Sequence, residues 1–170
     1  LKHGTLTIGL LGMNETTHAL YGLNHFEGIG KELTDKVVGM YVQKCKEYKE
    51  ALHLNFAVYY TPAENLCHTA LKNFRKKYGV IPGVSDRDYF TNSIHVPVWI
   101  EMNPFEKIDI ESQWGNKGNG GTITYVELPS TTKNNIEALE TLVNYAMDKD
   151  IPYFAVNLPI DCCENCGYQD

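Results

Sequence analysis

Leu54-Asn55-Phe56-Ala57-Val58-Tyr59-Tyr60-Thr61-Pro62-Ala63-Glu64-Asn65-Leu66 decides the reading of this chain. Its first half is apolar and rich in β-branched and aromatic residues, which predicts a strand over Leu54 to Tyr60. Its second half opens a helix whose apolar residues Leu66, Ala70, Leu71 and Phe74 share one face, with Gly79 as the stop. The junction Thr61-Pro62-Ala63-Glu64 has the form of a capping box. Thr61 would accept from an orphan backbone N–H, Pro62 suits the first helical position, and Glu64 can reach back. The same turn suits an anion, because free N–H groups and the positive end of the helix dipole meet there. Glu64 would repel such an anion, so spacing favours the cap and leaves the phosphate reading open.

Working outward, the pattern repeats. Upstream, Gly4 to Gly12 is a short glycine-broken apolar run expected to form a buried strand. Asn14 or Thr16 can cap a short helix after it. From Lys31 to Leu52, apolar positions including Leu33, Val38, Met40, Cys45 and Leu52 recur at helical spacing over a charged face. Downstream, Val80 to Asn119 carries prolines at 82, 97 and 104 and is expected to be irregular, with an extended run at Ile94-His95-Val96. Gly115 to Gly121 is glycine-dense but precedes a strand and no helix, so it is expected to be a mobile loop or lid rather than a phosphate cradle. Thr122 to Leu128 alternates as a strand, Ile136 to Met147 repeats as a helix, and Tyr153 to Asn157 is a last strand. Strands alternating with amphipathic helices predict an α/β fold of parallel βαβ units, in which ligands gather where strands end and helices begin.

Composition narrows the function classes. The 170 residues suffice for one packed core, and the net charge of −6 excludes the lysine and arginine excess that a nucleic-acid surface requires. No run of apolar residues is long enough to span a bilayer, and the N-terminus lacks the features of a signal peptide, so a cytoplasmic chain with no nucleic-acid and no membrane partner is expected. The chain has no initiator Met and its cysteine cluster stops four residues before the end, which leads us to expect an internal segment of a longer protein.

Chemistry-bearing residues are few. Cys163-Glu164-Asn165-Cys166 is a C-x-x-C knuckle, the arrangement by which two thiolates take adjacent corners of a tetrahedral zinc, although a redox pair or inert thiols remain alternatives. Asn14 and Glu15, after the first strand, are candidate active-site groups, with an N-cap and a first-turn carboxylate as the plainer account. The six histidines show no metal-ligand spacing and are expected to be surface or internally satisfied. Arg75-Lys76-Lys77 ends a helix, where cations complement the dipole.

Five blocks in order carry a resemblance: Lys2-His3-Gly4, Gly12-Met13-Asn14-Glu15, Val58 to Leu66, Tyr89-Phe90-Thr91-Asn92-Ser93-Ile94-His95, and Asn157-Leu158-Pro159-Ile160-Asp161. Followed by the cysteine knuckle, they resemble the catalytic subunit of the oxygen-sensitive, class III anaerobic ribonucleoside-triphosphate reductases. The resemblance implies part of the ten-stranded α/β barrel of the glycyl-radical and ribonucleotide reductase superfamily. Residues 1–160 would form the C-terminal part of the barrel, and 161–170 the start of a zinc ribbon. It also implies that a glycyl radical, generated by an S-adenosylmethionine-dependent activase, yields a thiyl radical that attacks the ribose of a ribonucleoside triphosphate. Formate or a protein dithiol would be the reductant, and the intact enzyme a homodimer. Thr61, Pro62, Ala63, Glu64, Asn65 and Leu66 look like the substrate-phosphate turn, and Cys163 and Cys166 like half of a four-cysteine zinc site. Neither Cys45 nor Cys67 matches the thiyl position, and the glycyl-radical motif does not occur here, so the segment alone is expected to be inactive. Another glycyl-radical enzyme, of formate-lyase or dehydratase type, and a non-catalytic zinc-ribbon interaction module are the alternatives.

Overall fold

The computed structural model describes residues 3–60, 62–158 and 166, apart from the side chains of 130 and 133. Strand β1 (Thr5–Ile8) is followed by helices α1 (Met13–Tyr21) and α2 (Gly28–Leu52), strand β2 (Asn55–Val58), and helices α3 (Glu64–Tyr78) and α4 (Pro104–Gly115). Strand β3 (Thr124–Glu127), a 3₁₀ turn at Ser130–Asn134, helix α5 (Ile136–Asp148) and strand β4 (Phe154–Asn157) complete it. β1 pairs with β2 in parallel, Thr5 opposite Asn55 through Ile8 opposite Val58. β3 pairs with β4 in the same sense, Thr124 opposite Phe154 through Glu127 opposite Asn157. A parallel bridge between Tyr60 and Thr122 links the extensions of β2 and β3. The expected α/β fold with parallel βαβ units is therefore present, each pair joined by the helical crossover that parallel strands require.

The core lies where the helices cover the strands. Val38 and Cys45 of α2 pack with Val58 within β2 and Tyr60 beyond it, with Ile94, and with Trp114 of α4. A second cluster joins Ile108 of α4 and Val126 of β3 to Leu142 and Ala146 of α5. Trp114 Nε1 donates to Asp35 Oδ1 at 2.8 Å, which ties α4 to α2 through a polar bond at the edge of the first cluster. Apolar faces also remain open: Met40, Tyr48 and Leu52 of α2 are exposed although their spacing suggested a buried stripe.

Several expectations are corrected. β1 is exposed at all four residues rather than buried, because among the described residues it pairs only with β2. The Val80 to Asn119 stretch is not irregular throughout, since α4 occupies 12 of its residues. Its start signal is legible in retrospect: Asn103 accepts from the Phe105 N–H at 2.9 Å, and Pro104 stands at the first helical position. Ile94 to Val96 forms no strand, and Asn92 instead bridges Leu11.

The glycine-rich segment is not a mobile lid. Gly120 N–H donates to the Val58 carbonyl at 2.8 Å, Asn119 Oδ1 accepts from Val58 N–H at 3.1 Å, and Tyr60 N–H donates to the Gly121 carbonyl at 3.0 Å. A Cβ at Gly120 would stand 2.7 Å from the Val58 oxygen, and one at Gly118 2.7 Å from the Tyr60 ring. Glycine is used here for close approach, so that the segment lies against β2 and extends its pairing.

Candidate active site at the strand ends

The C-terminal ends of the parallel strands surround a cleft of about 250 Å³. Pro62 and Glu64, after β2, line one side; Thr91, Asn92 and His95 form another; and Lys107 of α4 reaches in from a third. Tyr125 and Glu127 of β3 and Asn157 of β4 complete the strand-end wall, with Tyr89 and Trp99 supplying aromatic surface. Arg87 stacks on Trp99, its guanidinium carbon 4.4 Å from the ring centre. The cleft lies where ligands gather in parallel α/β folds, because strand ends and helix starts there point backbone groups outward.

Its polar groups are held from behind. Lys107 Nζ pairs with Glu111 Oε1 at 2.6 Å, and that oxygen also accepts from Val96 N–H at 3.0 Å. Glu111 is 1% exposed, so Lys107 meets the cleft from a buried carboxylate one helical turn away. The ring nitrogens of His95 face the carbonyls of Ile123 at 2.7 Å and Asn92 at 3.1 Å, which fixes the ring in the wall. His25, wholly buried behind it, donates from Nε2 to the Ile94 carbonyl at 3.0 Å. Burial pushes the His25 ring down to about 4, so it is neutral at physiological pH. Both rings are thus held by oxygens of the protein interior, and neither belongs to a metal-binding group among the described residues.

The turn after β2 differs from the expected capping box. Helix α3 begins at Glu64 with Ala63 as its N-cap and no side-chain cap from that residue, and Thr61 lies outside the described residues. Pro62 precedes the helix instead of opening it. The physical substitute comes from elsewhere in the chain: Asn92 Oδ1 accepts from Ala63 N–H at 2.7 Å and from the Cys67 thiol at 3.1 Å. Within the candidate phosphate turn the Ala63 amide is thereby committed, whereas Glu64, Asn65 and Leu66 occupy the first helical turn, where N–H groups have no partner within the helix. Burial pushes the Cys67 thiol up to about 11, which keeps it protonated as a donor to Asn92.

Asn14 and Glu15 stand behind the cleft rather than in it. Gly12, in the left-handed region at φ 72°, caps α1, so Asn14 falls inside the helix and is not its cap. Asn14 Oδ1 accepts from His25 N–H at 3.2 Å, and Glu15 Oε1 accepts from both the Thr91 N–H at 3.1 Å and the Thr91 hydroxyl at 2.6 Å. Burial raises the Glu15 carboxyl above its ordinary range. Cys163 lies outside the described residues; Cys166 is exposed and free of a disulfide. Among the described residues no group of three or more histidine, cysteine or acidic side chains is placed to hold a metal, and no helix is long and apolar enough to cross a membrane. Residue-level reading passed over Asn92, Lys107 and Glu111. The only local signal for the last two was their spacing of four on α4, itself overlooked.

The comparisons with known proteins agree with this architecture. A family model described as anaerobic ribonucleoside-triphosphate reductase matches residues 1–170. The chain is 36% identical over 167 residues to the anaerobic ribonucleoside-triphosphate reductase of Escherichia coli K12, covering 96% of this chain and 23% of that protein. It is 38% identical over 163 residues to that of Enterobacteria phage T4, covering 96% and 25% respectively. It thus spans about a quarter of the length of these curated relatives. A solved anaerobic ribonucleotide reductase superposes with a TM-score of 0.79 at 22% identity, covering 100% of this chain and 27% of the other. That of Thermotoga maritima in complex with dATP and CTP gives 0.76 at 22%, covering 96% and 27%. The fold is shared with these structures, and the match along all 170 residues shows that the chain belongs to the anaerobic ribonucleoside-triphosphate reductase family.

Proposed function

We propose that this chain forms the substrate-side wall of the catalytic barrel in an anaerobic ribonucleoside-triphosphate reductase, the enzyme that makes deoxyribonucleoside triphosphates by glycyl and thiyl radical chemistry. The observation that carries the reading is the cleft at the parallel strand ends with the first turn of α3 at its rim. The N–H groups of Glu64, Asn65 and Leu66 would hold the nucleotide's phosphates, helped by the positive end of the helix dipole. A Thermotoga maritima relative solved with dATP and CTP shows a protein of this fold in complex with nucleotides.

In the longer protein, the exposed edge of β1 would pair with a further strand of the ten-stranded barrel. The apolar groove of about 400 Å³ between β1 and α2, floored by Tyr41 and Phe56, would be covered by the same addition. Burying such surface favours closure and keeps water from the radical steps. Cys67 is an unsuitable radical carrier because it does not line the cleft and its thiol donates to Asn92. The thiyl cysteine and the glycyl radical, set by an S-adenosylmethionine-dependent activase, would come from other parts of the protein. Formate or a protein dithiol would be the reductant, and the enzyme a homodimer. The solvent-exposed Cys166 thiol suits a zinc ligand, and with Cys163 it would supply two of the four sulfur donors of a structural ribbon spanning 161–170 and beyond.

Two substitutions of one residue in the full-length reductase test the phosphate assignment. Glu64→Pro removes the first N–H of α3 at the position where proline is tolerated, and Glu64→Gln removes only the charge. Loss of one charge-assisted hydrogen bond predicts a KM for ribonucleoside triphosphate about tenfold higher in the proline variant than in the glutamine variant. Equal KM values in the two variants would refute the assignment.

A further inference from the structure

We infer that Glu15, which does not line the cleft, positions the cleft's α3 rim through Thr91 and Asn92. The inference deepens the proposed function and rests on it. Three elements distant in sequence meet in one buried strap. Glu15 Oε1, at the start of α1, holds both the amide and the hydroxyl of Thr91 across 76 residues. Thr91 returns the bond through its carbonyl, which accepts from Gly12 N–H at 2.8 Å, and Asn92 pairs with Leu11 in an antiparallel bridge. Thr91 therefore has its N–H, its carbonyl and its hydroxyl all committed to the Gly12 to Glu15 segment. The next residue has no freedom to swing, and its Oδ1 is delivered to Ala63 N–H and the Cys67 thiol.

Asn92 thereby does in trans what the missing side-chain cap of α3 would have done locally. An N-cap side chain ordinarily fixes where the first helical turn begins. Here that choice is made 29 residues away, by a side chain that itself lines the cleft, so the start of α3 is set relative to the cleft rather than relative to its own strand. The Glu15 side chain is well suited to the task. It is 5% exposed, and a buried carboxyl oxygen with two donors is a stiff anchor because letting go would leave that oxygen and both Thr91 donors unpaired in a dry site. Cys67 offers an internal control, because it shares Oδ1 with Ala63 but holds the second turn of α3 rather than the first.

The test compares Glu15→Ala, Asn92→Ala and Cys67→Ala in the full-length, activated reductase, reading KM for the ribonucleoside triphosphate apart from kcat, and the thermal midpoint as a check on folding. A misplacement of about 1 Å in a binding wall weakens substrate positioning substantially, so Asn92→Ala should raise KM about tenfold and Glu15→Ala about threefold or more, with kcat within about twofold. Cys67→Ala should leave KM unchanged even where the midpoint falls. A merely structural role predicts lower midpoints in all three with no change in KM, which overturns the inference. A rise confined to Asn92→Ala also overturns it, because it makes Asn92 a direct contact without a relay from Glu15. If Glu15→Ala does not fold, Glu15→Asp decides, since it draws the carboxyl back from the 2.6 Å Thr91 bond and leaves every cleft-lining side chain in place: a raised KM supports the relay and an unchanged one overturns it. Glu64→Pro separates the two readings. If it matches Glu64→Gln, the phosphate assignment fails and the relay falls with it; if it raises KM while Glu15→Ala does not, the relay alone fails.

Discussion

Acidification through the range of ordinary histidine titration should weaken this fold through His25. The ring is wholly buried between α1 and the Ile94 segment, with Phe26 and Trp114 at 5.2 and 5.5 Å between ring centres. Burial lowers its proton affinity from the ordinary 6.5 to about 4, while the unfolded chain keeps the ordinary value. The unfolded state therefore binds the extra proton between these limits. The contribution of neutral His25 is fully present above about pH 6.5, falls as pH drops, and is lost as pH passes below about 4. Integrated to pH 5, the loss is about 2 kcal/mol, and to below pH 4 about 3 kcal/mol, at roughly 1.4 kcal/mol per pKa unit. His25→Gln retains a donor for the Ile94 carbonyl and removes the titration. Urea unfolding at pH 7 and pH 5 should then show the wild type losing about 2 kcal/mol more than the variant over that interval. The absolute stability of the variant does not matter, because the comparison is of slopes. Equal losses in the two proteins would show that the buried ring is not the linked group, and the reasoning would fail.

The glycines make opposite predictions at two positions. Gly120→Ala forces a Cβ to within 2.7 Å of the Val58 carbonyl and should cost about 1–3 kcal/mol by urea unfolding, because backbone must move at the joint between β2 and β3. Gly39→Ala, in the middle of α2 with nothing within 4 Å of the new Cβ, should instead gain about 0.5–1 kcal/mol. For the zinc proposal, elemental analysis of the full-length reductase should find metal that is lost on Cys166→Ser or on chelation; stoichiometric zinc retained in Cys166→Ser would remove that residue from the ligand set.

How much was legible in the sequence depended on the range of the interactions involved. Helices α2, α3 and α5 and strands β2, β3 and β4 are visible because their apolar period is local, and their alternation implies parallel pairing. The first residue of α3 was misplaced because the Thr61 to Glu64 spacing suits a local cap, whereas the side chain that fixes the helix start is Asn92. Helix α4 escaped because its buried residues Ile108, Glu111 and Trp114 include a carboxylate, which blurs an apolar stripe. Composition predicts a lid at the glycine segment because it reports conformational freedom and not the neighbour that removes it.

By itself, then, the sequence determined the fold class, the strand-end location of the candidate site, and, through ordered motifs, the family. Local periodicity and a linear order of blocks encode all three. Only the tertiary structure decided which groups face the cleft and which hold it from behind. Glu15 meets Thr91 across 76 residues, and Lys107 and Glu111 acquire meaning only once α4 is packed beside β3. Hydrogen bonds between distant residues leave no period in the sequence, because their geometry is set by burial and packing rather than by spacing along the chain.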